Sequence, residues 1–209
     1  GPLCNLTWSI TTTENGNYVS ITDCNEAASG ELVIPDTIAG SPVTRINNNA
    51  FSGCSSLTSI AIPNSVTRVG DGAFHQCSSL TSVTIPDTVT ALGEGVFFQC
   101  SNLQNIAIPS GITRISDLMF YECSSLTSIT VPDSVTSIEN AAFYKCSSLT
   151  SITIPANVTS IGNEAFSYCS SLTSVTISDT VTALGSGVFS HCSNLQNIAI
   201  PSGITRISD

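Results

Sequence analysis

The chain has 209 residues and a formal net charge of −10, because 15 Asp and Glu residues outnumber five Lys and Arg residues. These cations form no basic stripe in the sequence, which disfavours nucleic acid and anionic lipid as partners. No run of about 18 apolar residues is present, so we expect no direct membrane insertion. The sparse charge and abundant Ser and Thr favour an extracellular or cell-surface location over that of a cytosolic enzyme.

The first 29 residues differ in pattern from the rest of the chain. Residues 1–3 (Gly-Pro-Leu) are typical of the remnant of a cleaved tag. Apolar and polar residues alternate in 6–10 and again in 18–21, and an Asn-Gly pair between two such segments is a strong β-hairpin signal. We predict that residues 4–29 form a hairpin that caps the repeat array behind it.

Two cysteines flank this predicted hairpin. Cys4 and Cys24 lie outside the spacing of the other seven cysteines. Because an extracellular compartment is oxidising, we predict that they form a disulfide bond.

From about residue 30 the sequence repeats with a period of 23 residues. Seven cysteines mark the period: Cys54, Cys77, Cys100, Cys123, Cys146, Cys169 and Cys192. A fixed period of this length is the signature of a solenoid, in which one repeat cannot bury its apolar residues alone but stacked copies can.

One repeat predicts its own local structure. Leu57, Ile60 and Ile62 have the spacing of a leucine-rich strand over residues 58–62, which Pro63 ends. Residues 66–69 predict a second short extended segment. Residues 71–74 are too few for an α-helix, but they suit one 3₁₀ turn that inserts Phe74 into the core.

The recurring motif I-P-x-x-V-T-x-I-G-x-x-A-F-x-x-C-S-S-L-T-S-I-x-I-P resembles the BspA-like leucine-rich repeat family of bacterial and protozoan surface proteins. The resemblance covers residue 30 to the end. It implies a secreted or surface-anchored protein used in adhesion. The expected fold is a right-handed β-solenoid with 23-residue coils. One face carries a parallel sheet, and the other carries short extended segments and 3₁₀ turns.

The array also has a longer period, since residues 87–117 recur as 179–209 with only three differences. The segment that follows Asp117 has no counterpart after Asp209. We therefore expect the solenoid, residues 30–209, to be truncated in mid-coil. Apolar residues without a covering layer would then favour end-to-end self-association; they are Ile198, Ile200, Ile204 and Ile207.

The seven spaced cysteines favour a structural role. Stacked coils place equivalent residues about 4.8 Å apart with parallel side chains, whereas disulfides need Cβ atoms about 3.8 Å apart. Zinc needs ligands that converge as a tetrahedron, not one column of sulfur atoms. We interpret these cysteines as reduced and buried, and we predict no metal and no cofactor.

Nothing in the sequence predicts catalysis. The two histidines, His75 and His191, occupy variable positions, and there is no nucleophile elbow, paired-carboxylate cleft or phosphate-binding glycine loop. We predict that the protein is not an enzyme and has no catalytic residues.

The most variable part of the repeat is the two-residue slot between Phe and Cys. It concentrates aromatic side chains along one edge of the array, which suggests a recognition surface, although drift at tolerant exposed positions explains the same pattern. In this interpretation the first row holds Phe98, Tyr121 and Tyr144, and the parallel row holds Gln99, Glu122, Lys145 and Tyr168. The candidate binding residues are His75, Phe98, Gln99, Tyr121, Glu122, Tyr144, Lys145, Tyr168 and His191.

Three functions are compatible with these features. The leading one is a binding or adhesion module that recognises a protein or a glycan. The second is a structural spacer that displays other domains. The third is ice or surface binding through columns of threonine such as Thr67, Thr90 and Thr113, although Thr is also simply a favoured strand residue.

Overall fold

The computed structural model describes residues 5–204. Cys4 and Ile207 lie outside the described residues, and so does the end of the array. The strands, in chain order, are β1 (Leu6–Thr13), β2 (Gly16–Cys24), β3 (Ser29–Val33), β4 (Thr37–Ile38), β5 (Ser41–Ile46), β6 (Ser56–Ala61), β7 (Arg68–Val69), β8 (Ser82–Thr84), β9 (Ala91–Leu92), β10 (Asn105–Ile106), β11 (Arg114–Ile115), β12 (Ser137–Ile138), β13 (Ser151–Thr153), β14 (Ser160–Ile161), β15 (Ser174–Thr176), β16 (Ala183–Leu184) and β17 (Asn197–Ile198).

The chain is a β-solenoid, as the repeat predicts, and parallel strands form a wall on each of its two faces rather than on one. The first wall contains the leucine-rich strands, in the orders β3-β6-β8-β10 and β13-β15-β17. The second wall contains the shorter strands, in the orders β2-β5-β7-β9 and β11-β12-β14-β16. Strand partners in successive coils are one period apart, as in the pair Ser59 and Ser82.

The N-terminal hairpin continues the second wall. β1 and β2 pair antiparallel, and β2 pairs in parallel with β5. Val19 and Ile21 of β2 are fully buried, so this strand covers the first coil. β1 forms the outer edge, and its Trp8 and Ile10 are exposed.

Each coil buries one set of apolar side chains between the walls. A continuous stack of phenylalanines runs along the solenoid axis, from Phe51 to Phe189, with ring centroids 5.2–5.6 Å apart. The expected 3₁₀ turn before each cysteine is a pair of turns closed by i→i+3 hydrogen bonds, such as His75 N–H to Gly72 O at 2.9 Å and Cys77 N–H to Phe74 O at 3.3 Å. The second-wall strands are shorter than expected: β7 covers only two of the four residues 66–69.

The cysteine column is buried in this core. The thiols of the column have a defined partner, because each of six donates to the phenylalanine carbonyl of the preceding coil. The distances from Cys77, Cys100, Cys123, Cys146, Cys169 and Cys192 to these carbonyl oxygens are 3.0–3.2 Å.

Short polar side chains join the coils along the second wall. The Oδ1 atom of an Asn or Asp accepts the backbone N–H of the equivalent residue in the next coil, at 2.7–3.0 Å. The acceptors are Asn48, Asp71, Asp117, Asn140 and Asn163. Glu94 occupies the same position but accepts no such bond among the described residues, and here the second wall divides between β9 and β11.

Candidate interaction surface

The variable slot is positioned by backbone geometry at the turn that precedes each cysteine. Its second residue has a left-handed backbone, with φ between 55° and 60° at Gln76, Gln99, Glu122, Lys145, Tyr168 and His191. This conformation directs its N–H to a slot carbonyl in the next coil, as from Gln99 to Tyr121 O at 2.7 Å. Consecutive slots are therefore hydrogen-bonded in register, and equivalent side chains form rows.

The aromatic ridge is the row formed by His75, Phe98, Tyr121, Tyr144, Tyr168 and His191. The first four rings stack almost parallel, with centroids 4.6–4.7 Å apart and interplanar angles of 2–14°. Because the rings cover one another's faces, their edges are the parts that face solvent. All four are half-buried rather than fully exposed.

Tyr168 departs from the expected row. As the second residue of its slot, Tyr168 was predicted to lie beside Lys145. Instead its ring meets that of Tyr144 edge-on, with the centroids 5.5 Å apart, and stacks on the ring of His191, with the centroids 4.1 Å apart. Ser167, which precedes it, is buried and supplies no ring. Tyr168 fills the gap and extends the ridge.

A chain of polar side chains runs beside the ridge. Gln76 Nε2 donates to Gln99 Oε1 at 2.9 Å, and Gln99 Nε2 donates to Glu122 Oε2 at 2.7 Å. Lys145 Nζ binds the other carboxylate oxygen of Glu122 at 2.9 Å. We call Gln76, Gln99, Glu122 and Lys145 the polar row; each side chain is held in place by the next.

These contacts shift the acid–base equilibria of the surface. Hydrogen bonds from Lys145 and Gln99 lower the pKa of Glu122, and the same bond to Glu122 raises the pKa of Lys145. Partial burial raises the pKa of Tyr121 and lowers the pKa of His75. Glu122 and Lys145 are therefore both charged near neutral pH, whereas His75 is mostly uncharged.

Gln99, Glu122 and Lys145 of the polar row form one side of a groove of about 560 Å³. Its other side is a column of serines, Ser101, Ser124, Ser147 and Ser170, and Tyr168 closes one end. We call this the polar groove. The structure thus brings all nine candidate binding residues together in the ridge and the polar row, and Tyr168 belongs to both the ridge and the groove.

The other predicted features lie elsewhere. Cys24 is buried and has no disulfide partner among residues 5–204, and its predicted partner Cys4 is outside that range. Within the described residues no cluster of His, Cys, Asp and Glu could hold a metal ion. No helix in that part of the chain is long and apolar enough to cross a membrane.

A second groove, of about 690 Å³, lies on the second wall and was not anticipated. Arg45, Arg68 and Arg114 line it, so the expectation that the cations form no basic stripe is wrong for this face. The signal was present in the sequence, because these residues and Arg206 differ by multiples of the repeat period. We call it the arginine groove.

Comparisons with known proteins agree with this architecture. The model of the BspA type leucine rich repeat region matches residues 30–146 and 113–209, in 6 copies. No curated protein sequence matches the chain.

Several solved structures are similar. The leucine rich repeat protein TpLRR of T. pallidum has a TM-score of 0.83 and 29% identity, over 91% of this chain and 88% of its own. A leucine-rich repeat protein of Bacteroides ovatus has a TM-score of 0.67 and 31% identity, over 96% of this chain but 47% of its own. A leucine rich cell surface protein of Faecalibacterium prausnitzii has a TM-score of 0.62 and 26% identity, over 97% and 83%. With its stacked 23-residue coils and a family match over most of its length, the chain belongs to the BspA-type leucine-rich repeat family.

Proposed function

We propose that this chain is a non-enzymatic binding module of a cell-surface or secreted protein, and that the aromatic ridge and polar groove contact a protein partner. The observation that carries the proposal is the unbroken row of six rings beside an ordered polar row. Tyrosine is among the residues that contribute most to interface hot spots. One similar structure is that of a leucine rich cell surface protein, which agrees with the proposed location.

The ring geometry favours a protein partner over a glycan on this surface. A sugar that stacks on an aromatic side chain needs an open ring face, but neighbouring rings cover most faces of the ridge. The exposed ring edges and tyrosine hydroxyls suit the mixed apolar and hydrogen-bonding contacts of protein interfaces. The fixed polar row adds specificity, since few side-chain rotamers must be immobilised on binding.

The threonine columns do not support ice binding. Thr67, Thr136 and Thr159 each donate to the threonine carbonyl of the preceding coil, at 3.1–3.4 Å. These hydroxyl groups are engaged in joining coils, which is a structural role.

A binding screen with a matched variant tests the proposal. The chain would be screened against extracellular-matrix and cell-surface proteins, and each interaction measured again with Tyr144→Ser. Serine occupies the same slot position at Ser52, Ser167 and Ser190, so the variant should fold. We expect at least about tenfold weaker binding, the loss typical of an interface hot spot.

The stability of the variant is measured in parallel. Because Tyr144 stacks on Tyr121, we expect Tyr144→Ser to lower the free energy of unfolding by about 1–2 kcal/mol. Asn105→Ser is the control, since serine is also the repeat's residue at that first-wall position and the ridge is untouched. If no protein binds, or if binding partners are indifferent to Tyr144→Ser, the spacer function is favoured instead.

A further inference from the structure

We infer that the arginine groove is a second binding site, on the second wall rather than on the turns that carry the ridge, and that it recognises an acidic oligosaccharide through Arg45 and Arg68. The inference does not depend on the proposed function of the ridge. It depends on charge, on the pairing of the two arginines and on the lining of the groove.

The groove concentrates positive charge in an acidic protein. Its lining residues carry three guanidinium groups and one carboxylate, that of Asp71. The whole chain carries only five cations against a net charge of −10. At physiological salt the screening length is about 8 Å, so a short anionic ligand in the groove responds mainly to these local charges.

Two of the arginines have no carboxylate partner among residues 5–204. Arg114 forms an ion pair with Glu139 at 3.6 Å, whereas Arg45 and Arg68 form no ion pair in this range. Arg45 lies over the ring of Tyr18, with its guanidinium carbon 4.8 Å from the ring centroid, and this contact orients the group. Asp71 is already engaged, because it accepts the Glu94 N–H at 2.9 Å.

Arg45 and Arg68 also face each other directly in adjacent strands. They are register partners in the β5–β7 pair, and like charges in that arrangement are destabilising. A carboxylate or sulfate between them would relieve the repulsion and accept paired hydrogen bonds from both guanidinium groups. Ala91 in β9 is the register partner of Arg68 on its other side. Its small side chain leaves the groove open toward Arg114.

The lining favours a sugar over a peptide. Thr22, Asn47 and Asn48 offer hydroxyl and amide groups that can bind sugar hydroxyls. A peptide could not add to the sheet at this point, because β5 and β7 already have strand partners on both sides. A volume of about 690 Å³ lies within the usual range of small-ligand sites.

Titration calorimetry at physiological salt with four probes tests the inference. A heparin tetrasaccharide supplies sulfates, trigalacturonate supplies carboxylates alone, maltotriose is neutral and hexaglutamate is an acidic peptide. We expect binding of at least one acidic oligosaccharide, with no measurable binding of maltotriose and weaker binding of hexaglutamate. The two acidic sugars show which anionic group the groove prefers.

The variants use substitutions that the repeat itself contains. Arg45→Ser/Arg68→Ser places serine where Ser137 and Ser160 already occupy the same position, so the coils should be retained, as a melting curve would verify. We expect the affinity for the acidic sugar to fall about tenfold to a hundredfold, as for the loss of charged hydrogen bonds. Ser160→Arg adds a cation to the same column four coils from Arg68 and should leave the affinity unchanged, because Arg45 and Arg68 are the proposed ligands. Arg68→Ser/Ser160→Arg keeps the net charge but should bind weakly.

Several outcomes would overturn the inference. One is that the parent chain binds neither acidic sugar, and another is that it binds hexaglutamate as tightly. A third is that the folded Arg45→Ser/Arg68→Ser variant binds like the parent. Full recovery of binding in Arg68→Ser/Ser160→Arg would also contradict it, because net charge rather than position would then be responsible.

Discussion

Among single residues, the cysteines of the repeat carry the clearest physical constraint. Each buried thiol is both a small apolar filler and a hydrogen-bond donor to a phenylalanine carbonyl of the preceding coil. The same carbonyl also accepts the N–H of the cysteine in its own coil, as from Cys123 to Phe120 O at 3.1 Å, so the thiol is its second donor. The contact explains why a thiol at this position suits the core better than an apolar side chain alone.

Replacement of one such cysteine tests the two roles separately. We predict that Cys146→Ala lowers the free energy of unfolding by about 1–3 kcal/mol, because the Phe120 carbonyl loses one of its two donors and a small cavity forms. Cys146→Ser should cost less, since the hydroxyl can still donate. Urea denaturation monitored by circular dichroism would measure both. A larger cost for Ser than for Ala would show that the hydrogen bond is unimportant.

The same thiols predict sensitivity to alkali. Burial raises the pKa of Cys77 to about 12, from an ordinary value of 9.0, and raises those of Cys100, Cys123 and Cys146 well above 9.0. Between pH 9 and about pH 12 the Cys77 thiol loses its proton in the unfolded chain but keeps it in the folded chain. Stability is therefore complete below about pH 9 and falls as the pH rises toward 12, by about 1.4 kcal/mol per pH unit for each thiol. A Cys77→Ala variant should show a shallower decline in denaturation midpoint over this window; an identical slope would contradict the assignment.

At the scale of elements, one junction between coils differs from the others. Glu94 is one methylene longer than the Asn or Asp found at this position in most other coils, and no side chain within residues 5–204 accepts the Asp117 N–H. Ser116 occupies a position that is glycine in four other coils, and its hydroxyl donates to Gly93 O at 2.8 Å. The second wall divides at this junction because a side chain, not the backbone, joins β9 to β11.

A paired substitution should repair this junction. Gly93 is the residue equivalent to Ser116 in the preceding coil, and a Cβ atom there would clash with the Asp71 carboxylate. An Asp at position 94 would meet the Cβ atom of Ser116 in the same way. Glu94→Asp and Ser116→Gly are therefore expected to stabilise the junction only together. We predict that the double variant gains about 1 kcal/mol in unfolding free energy from one restored hydrogen bond. Ser116→Gly alone should lose stability, because it removes the hydroxyl contact and adds a flexible glycine. A double-mutant cycle from denaturation midpoints measures the coupling, and additive single effects would refute it.

At the scale of the whole molecule, stacking leaves apolar side chains exposed near both ends of the described array. Trp8 and Ile10 are 37% and 47% exposed at one end, and Ile200 is 46% exposed at the other. Complementary apolar patches at opposite ends favour heterologous, head-to-tail contacts. These contacts could extend one chain along the axis of the next.

We predict concentration-dependent association through these ends. Sedimentation velocity over a dilution series should show oligomers for the parent chain and fewer for Trp8→Ser/Ile200→Ser. Leu118→Ala is the matched control, because Leu118 is 36% exposed but lies in the middle of the array, where Ala141 occupies the equivalent position one coil later. A chain that stays monomeric at millimolar concentration would contradict the prediction.

The sequence alone determined the solenoid, its 23-residue coil and the core positions of Leu57, Phe74 and Cys77. A strict repeat stacks each apolar residue against the equivalent residue of the next coil. It also located the aromatic slot. The tertiary structure decided what linear spacing cannot show: that ridge rings cover one another's faces, and that Tyr168 leans into the ridge because Ser167 leaves room. It also showed that Arg45 and Arg68 are register partners and that neither forms an ion pair within residues 5–204. Those outcomes depend on how side chains pack between coils. The repeat period gives the spacing of equivalent residues but not the orientation of their side chains.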